Sequence, residues 1–150
     1  MRNVKTGRTV AAPRSSVWAV LADYPNVVDW NDGVKNSYAV GDATEGDGAQ
    51  RHCDLDRGVS MRETVTEWVP EEKMVVAIDR IEKMPIKRAE MTFTLAADGD
   101  TTPFTMSYDY EPKGGPFAFI VAGMMSRPVS KGFNGFIDNL ETAAQARAAA

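Results

Sequence analysis

The chain has 150 residues, enough to bury a sizeable core as one domain without covalent staples. Its 21 acidic and 17 basic residues leave a net charge of −4, which argues against a nucleic-acid partner, whose backbone asks for clustered Lys and Arg. One cysteine, Cys53, rules out an internal disulfide; one histidine, His52, leaves none of the usual zinc spacings and a single base for any Ser-His-Asp triad.

Residues 3–12 alternate weakly and read as a strand. Pro13 ends it and opens a helix that Ser15 or Ser16 can cap, with Val17, Trp18, Val20 and Leu21 on one face. Pro25 stops this helix, and the cluster of Val27, Val28 and Trp30 suggests a short second one over residues 24–30. Strands follow at 34–40, 49–56, 59–68, 73–81, 88–95 and 104–110. They are separated by the Gly-rich loop 41–48, an Arg57-Gly58 turn, a Pro70 turn, the Met84-Pro85 break and the turn 97–100. Met91, Phe93 and Leu95 alternate with threonines, and Phe104, Met106, Tyr108 and Tyr110 lie on one face. If residues 97 and 102 pair, Phe93 lies opposite Met106 and Met91 opposite Tyr108. After a loop at 111–116 the period becomes helical: Val129, Phe133, Phe136, Ile137, Leu140 and Ala144 form one stripe, and Pro128 either kinks this region or begins its main helix.

The expected fold is therefore α+β, with residues 1–150 as a single domain. A curved antiparallel sheet of about seven strands wraps round a long C-terminal helix, with two short helices after the first strand. The N-terminal sequence MRNVKTGRTVAAP has no apolar run of signal-peptide length, and the apolar stretch 117–125 is too short to span a bilayer. A cytoplasmic protein without stable membrane insertion is expected.

The segments AAPRSSVWAVLADYPNVVDW (11–30), GDGAQRHCDLDRG (46–58), RETVTEW (62–68), MPIKRAEMTFTL (84–95) and YDYEPKGG (108–115), in this order and spacing, resemble the START-related helix-grip superfamily (SRPBCC). The likeness is greatest to its polyketide cyclase/dehydrase and lipid-transport branch. It covers roughly residues 4–145, and is more specific for fold than for function. The resemblance implies a cavity between sheet and C-terminal helix, an entrance near the two short helices and the strand loops, and no cofactor. In the cyclase branch a pocket of aromatics, an Arg and a few polar groups holds a polyketide; Arg51, Arg62 and Arg88 are the candidates for such an Arg here.

Several residues are candidates for the site. Met91, Phe93, Met106, Tyr108 and Tyr110 combine adaptable or amphipathic side chains on the faces that would meet the helix. Phe133 and Ile137 lie on the helical stripe opposite. The resemblance puts Trp30 at the cavity mouth, and Met125 lies in the apolar stretch 117–125. That stretch reads as a lid touching ligand or membrane, as the buried start of the gripped helix, or as a dimer surface. If Arg57-Gly58 is a two-residue turn, Asp56 pairs with Val59 and His52 lies opposite Glu63. This carboxylate-imidazole pair faces either the cavity, as a proton relay, or solvent. No metal site is expected, and Cys53 reads as a small buried hydrophobe.

The leading expectation is a binding or transport module for a small hydrophobic molecule such as a lipid, isoprenoid or aromatic polyketide. The alternative is a polyketide cyclase, aromatase or dehydratase using the same cavity, with His52, Glu63 or Tyr108 giving acid-base help. A third reading is an interaction protein, with a homodimer left open, to be recognised by an exposed apolar patch at 117–125.

Overall fold

The alternation in residues 91–95 and 104–110 belongs to two neighbouring strands of one seven-stranded antiparallel sheet. A computed structural model describes residues 1–125 and 127–150 in full and residue 126 by its backbone alone. The strands are β1 (Arg2–Val10), β2 (Asn36–Val40), β3 (Gln50–Asp54), β4 (Ser60–Val69), β5 (Lys73–Glu82), β6 (Ile86–Leu95) and β7 (Thr102–Pro112). Their order across the sheet is β1-β7-β6-β5-β4-β3-β2, so the first strand closes against the last, with Val4 beside Tyr108. All other neighbours are consecutive in the chain, as short turns dictate. Irregularities in β4, between Ser60 and Arg62 and between Val65 and Glu67, break the ladder and bend the sheet.

Two helical segments fill the crossover from β1 to β2: α1 (Arg14–Ala22) and a short 3-10 helix (Tyr24–Asp29). Pro13 itself caps α1 in extended backbone, and no side chain caps it; the expected Ser15 or Ser16 cap does not form. The second long helix, α2 (Ala118–Ala149), runs through Pro128 without a break, so this proline neither starts nor ends the helix. It forfeits a ladder hydrogen bond and costs about 3 kcal/mol against alanine.

The grip comes from α2 lying against α1, β1 and β7. Its Ile137, Leu140 and Ala144 are fully buried against the apolar face of the sheet, which supplies Met74, Val76, Phe104 and Met106. Each such aliphatic or aromatic side chain contributes on the order of 1.5–3 kcal/mol by burial. Aromatic contacts bridge helix and sheet: Phe136 stacks on Phe93 with ring centroids 5.4 Å apart, and Phe133 meets Tyr108 edge-on at 5.2 Å.

The expected pairings Met91 with Tyr108 and Phe93 with Met106 are those of β6 and β7. The turn between β3 and β4 differs from expectation. Leu55 N–H donates to Val59 O at 2.8 Å, enclosing a 3-10 turn at Asp56–Gly58 in which Arg57 (φ 60) and Gly58 (φ 73) are left-handed. The extra loop residue shifts the ladder by one. Arg51 faces Glu63, and His52 faces Arg62. A slip of one residue exchanges the two faces of a strand.

Candidate functional site

Alternate residues of five strands point towards α2 and meet it only in part, as where Phe93 and Tyr108 touch Phe136 and Phe133, leaving a cavity of about 320 Å³. The sheet contributes Arg51 and Cys53 from β3, Met61 and Glu63 from β4, Ile78 from β5, Met91 and Phe93 from β6, and Met106 and Tyr108 from β7. From α2 come Met125, Pro128, Val129, Gly132, Phe133 and Phe136, spaced by three and four residues so that they share one helical face. Val27, Asn31, Gly33 and Val34 close the end near the 3-10 helix. Asn139 on α2 donates to Asn31 Oδ1 (3.2 Å) and Asp32 Oδ1 (2.8 Å), pinning that end to the helix.

Apart from Asn31 at one end, the described polar groups of the lining gather in one cluster. Arg51 Nη2 donates to Glu63 Oε2 at 2.9 Å, and the two side chains are 7% and 12% exposed. Arg51 Nη1 donates to the Tyr24 backbone oxygen at 2.8 Å, and the guanidinium carbon lies 4.0 Å from the Tyr24 ring centroid. Ion pair, carbonyl and ring thus hold the cation at three points. Burial is the largest single influence and would lower the pKa of Arg51, but the charge and hydrogen bond of Glu63, together with Tyr24 and Cys53, reverse it and the net shift is upward. The Arg51 Nε–H is buried and has no hydrogen-bond partner among the described residues.

Three neutral acids surround the pair. Burial pushes the Cys53 thiol and the Tyr24 and Tyr108 phenols well above their ordinary values. The carboxylate of Glu63 adds to the rise in each, while Arg51 opposes it at Tyr24 and Cys53. Near neutral pH Tyr108 is therefore a protonated hydrogen-bond donor. Among the described residues no group of His, Cys, Asp and Glu gathers as a metal site requires.

Of the residues singled out from the sequence, Glu63, Met91, Phe93, Met106, Tyr108, Met125 and Phe133 line the cavity. Trp30, Tyr110, Ile137 and His52 do not. Trp30 packs edge-on against Phe136 at 5.0 Å, behind the wall. Tyr110 is buried, stacks on Tyr108 and donates to Ala122 O at 3.4 Å. Ile137 lies in the core beyond the cavity's end.

His52 lies on the opposite face of the sheet, stacked on the half-exposed Tyr38 at 4.9 Å, with Nε2 2.8 Å from Asp54 Oδ1. The relay of His52 with Glu63 is thus replaced by the Arg51–Glu63 pair. The alternation of Arg51, Cys53 and Leu55 against His52, Asp54 and Asp56 carries the signal for this facing. Among Arg51, Arg62 and Arg88, Arg51 lines the cavity, whereas Arg88 is bound to Glu111 at 2.8 Å on the surface.

The sequence family described as polyketide cyclase/dehydrase and lipid transport matches residues 1–145. Curated protein sequences give no match. Among solved structures, the Zhui aromatase/cyclase from Streptomyces sp. R1128 is 17% identical, with a TM-score of 0.82 over 97% of this chain and 94% of that one. A second structure, TTHA0849 from Thermus thermophilus, is 17% identical, with a TM-score of 0.81 over 97% of this chain and 99% of that one. A START superfamily protein from Mycobacterium smegmatis is 18% identical, with a TM-score of 0.69 over 92% and 98%. At these identities the structural likeness is one of fold.

Proposed function

This chain belongs to the polyketide cyclase/dehydrase and lipid transport family, and from that premise we propose that it carries or senses a small hydrophobic molecule held between the sheet and α2. The observation that supports this reading is an apolar cavity whose one charged cluster is already neutralised from within. Pockets for such ligands are concave and mostly apolar, with a few polar groups that fix orientation.

The cavity also narrows the ligand. Its 320 Å³ is at the small end for ligand pockets, too little for a two-chain lipid and suited to one compact ring system or a short isoprenoid. Phe93, Phe133, Phe136 and Tyr108 offer ring faces and edges. Arg51 is matched by Glu63, so a ligand carboxylate entering the cavity would find no spare positive charge and would lose its hydration. The favoured polar end is an uncharged carbonyl or hydroxyl, able to accept from the Tyr108 phenol.

A cyclase, aromatase or dehydratase remains the second reading, because Arg51, Glu63 and Tyr108 all face one void. Glu63 is engaged by Arg51, and the upward shift of Tyr108 removes it from the range of an efficient acid or base near neutrality.

A thermal-shift panel tests the carrier reading, since binding stabilises by mass action. Neutral phenols, flavonoids and short isoprenoid alcohols should raise Tm, and matched aromatic carboxylates should not. Stabilisation by the carboxylates alone, or turnover of a ring-bearing ketone by the purified protein, would contradict it.

A further inference from the structure

We propose that the N-terminal half of α2 is a docking surface for an anionic lipid bilayer. Large hydrophobic side chains are mostly covered in this protein, yet Phe117, Phe119, Ile120 and Met124 are 64%, 62%, 48% and 72% exposed. On α2, Ile120, Met124, Arg127 and Lys131 follow one another at steps of four, three and four, so apolar and basic side chains share one outward stripe. Large apolar side chains left exposed together on one segment mark an interaction surface.

Charge identifies the occupant. The chain as a whole carries −4, but between Glu111 and Asp138 its charged residues are Lys113, Arg127 and Lys131, all basic. No ion pair engages any of the three among the described residues. Lys113 is tied to the β5–β6 turn through its backbone N–H to Pro85 O, which brings the basic Lys83 turn to the same end of the molecule. An exposed apolar segment continued along one helical stripe by cations that have no ion pair among the described residues, in an acidic protein, matches a negatively charged membrane surface, into which Phe119 and Met124 would insert while Arg127 and Lys131 meet phosphate headgroups. A second copy of this chain would bring the same cations face to face.

The stripe has a second side. Met125, Val129 and Phe133, on the opposite face of the same turns, line the cavity. Docking this segment in lipid sets the cavity wall against the phase in which an apolar ligand dissolves.

Vesicle flotation tests the proposal. The protein should float with vesicles of phosphatidylcholine and phosphatidylglycerol in equal parts, not with pure phosphatidylcholine, and high salt should release it. Arg127→Glu with Lys131→Glu should weaken partition by at least about 25-fold, taking about five-fold per cation. Phe119→Ser with Met124→Ser should abolish it while leaving the urea midpoint unchanged, since both side chains are exposed. The cavity-filling Gly132→Leu variant should still float, so docking and ligand binding fail separately. Absence of flotation, equal flotation of all variants, or a concentration-dependent dimer lost in Phe119→Ser/Met124→Ser would overturn the proposal.

Discussion

Arg51 and Glu63 face each other across β3 and β4, joined Nη2 to Oε2 at 2.9 Å inside an otherwise apolar cavity. A buried pair of this kind gains little net stability as a pair, but losing either member strands a charge. Arg51→Met or Glu63→Leu alone should cost about 3–5 kcal/mol, whereas the double replacement should be near neutral. Urea denaturation of the four proteins of this cycle gives the coupling. A double variant as unstable as the sum of the singles would mean that the pair is not the unit that matters.

Alkali should unfold the protein by a route set by the same cluster. Cys53, Tyr24 and Tyr108 hold their protons in the fold more tightly than their ordinary values of 9.0, 10.0 and 10.0 allow in the unfolded chain. Below those values both states are protonated and stability does not respond. Above them the unfolded chain releases protons that the fold retains, so stability falls as pH rises. The slope should approach about 1.4 kcal/mol per pH unit for each such group. Urea midpoints that stay level above about pH 10 would contradict the burial of these groups.

Gly132 offers a way to fill the cavity. A side chain built there meets no atom of the described residues within 4 Å, and the position lines the void. Gly132→Leu should remove ligand binding and raise the stability of the empty protein by about 0.5–1 kcal/mol through helix propensity. Thermal shifts with and without ligand check both halves; a variant that binds as the parent does would move the ligand elsewhere.

His52→Ala should leave ligand affinity unchanged. The ring stacks on Tyr38 and meets Asp54 on the far face of the sheet, so its loss should cost no more than about 1 kcal/mol of stability. Isothermal titration of the variant decides; a several-fold change in affinity would place the ring in the site.

The fold was legible because its period-2 and helical patterns are long and agree. Met91, Phe93, Met106 and Tyr108 pair as their alternation requires, and Phe133, Ile137 and Leu140 lie on the helical face that the sheet grips. The polar part of the site was only half legible: the alternation of Arg51, Cys53 and Leu55 carries the facing, but the cross-strand pairing depends on one loop residue. Nothing in Asp56, Arg57 and Gly58 announces that Arg57 adopts a left-handed conformation, yet that choice exchanges His52 for Arg51 opposite Glu63. Trp30 and Ile137 show a second limit: on a continuous apolar face, wall and core are separated only by where the helix lifts from the sheet. Phe119 and Met124 show a third, since an apolar stretch at the start of a helix reads equally as lid, buried end or contact surface until the packing is known.

Native mass spectrometry of gently purified protein, side by side with Gly132→Leu, tests the central claim most directly. The parent should retain a compact, uncharged hydrophobic molecule that identifies itself by mass, and Gly132→Leu should appear empty. The same adduct on both proteins, or an anionic adduct that persists in Arg51→Met/Glu63→Leu, would contradict a cavity built around a self-neutralised ion pair.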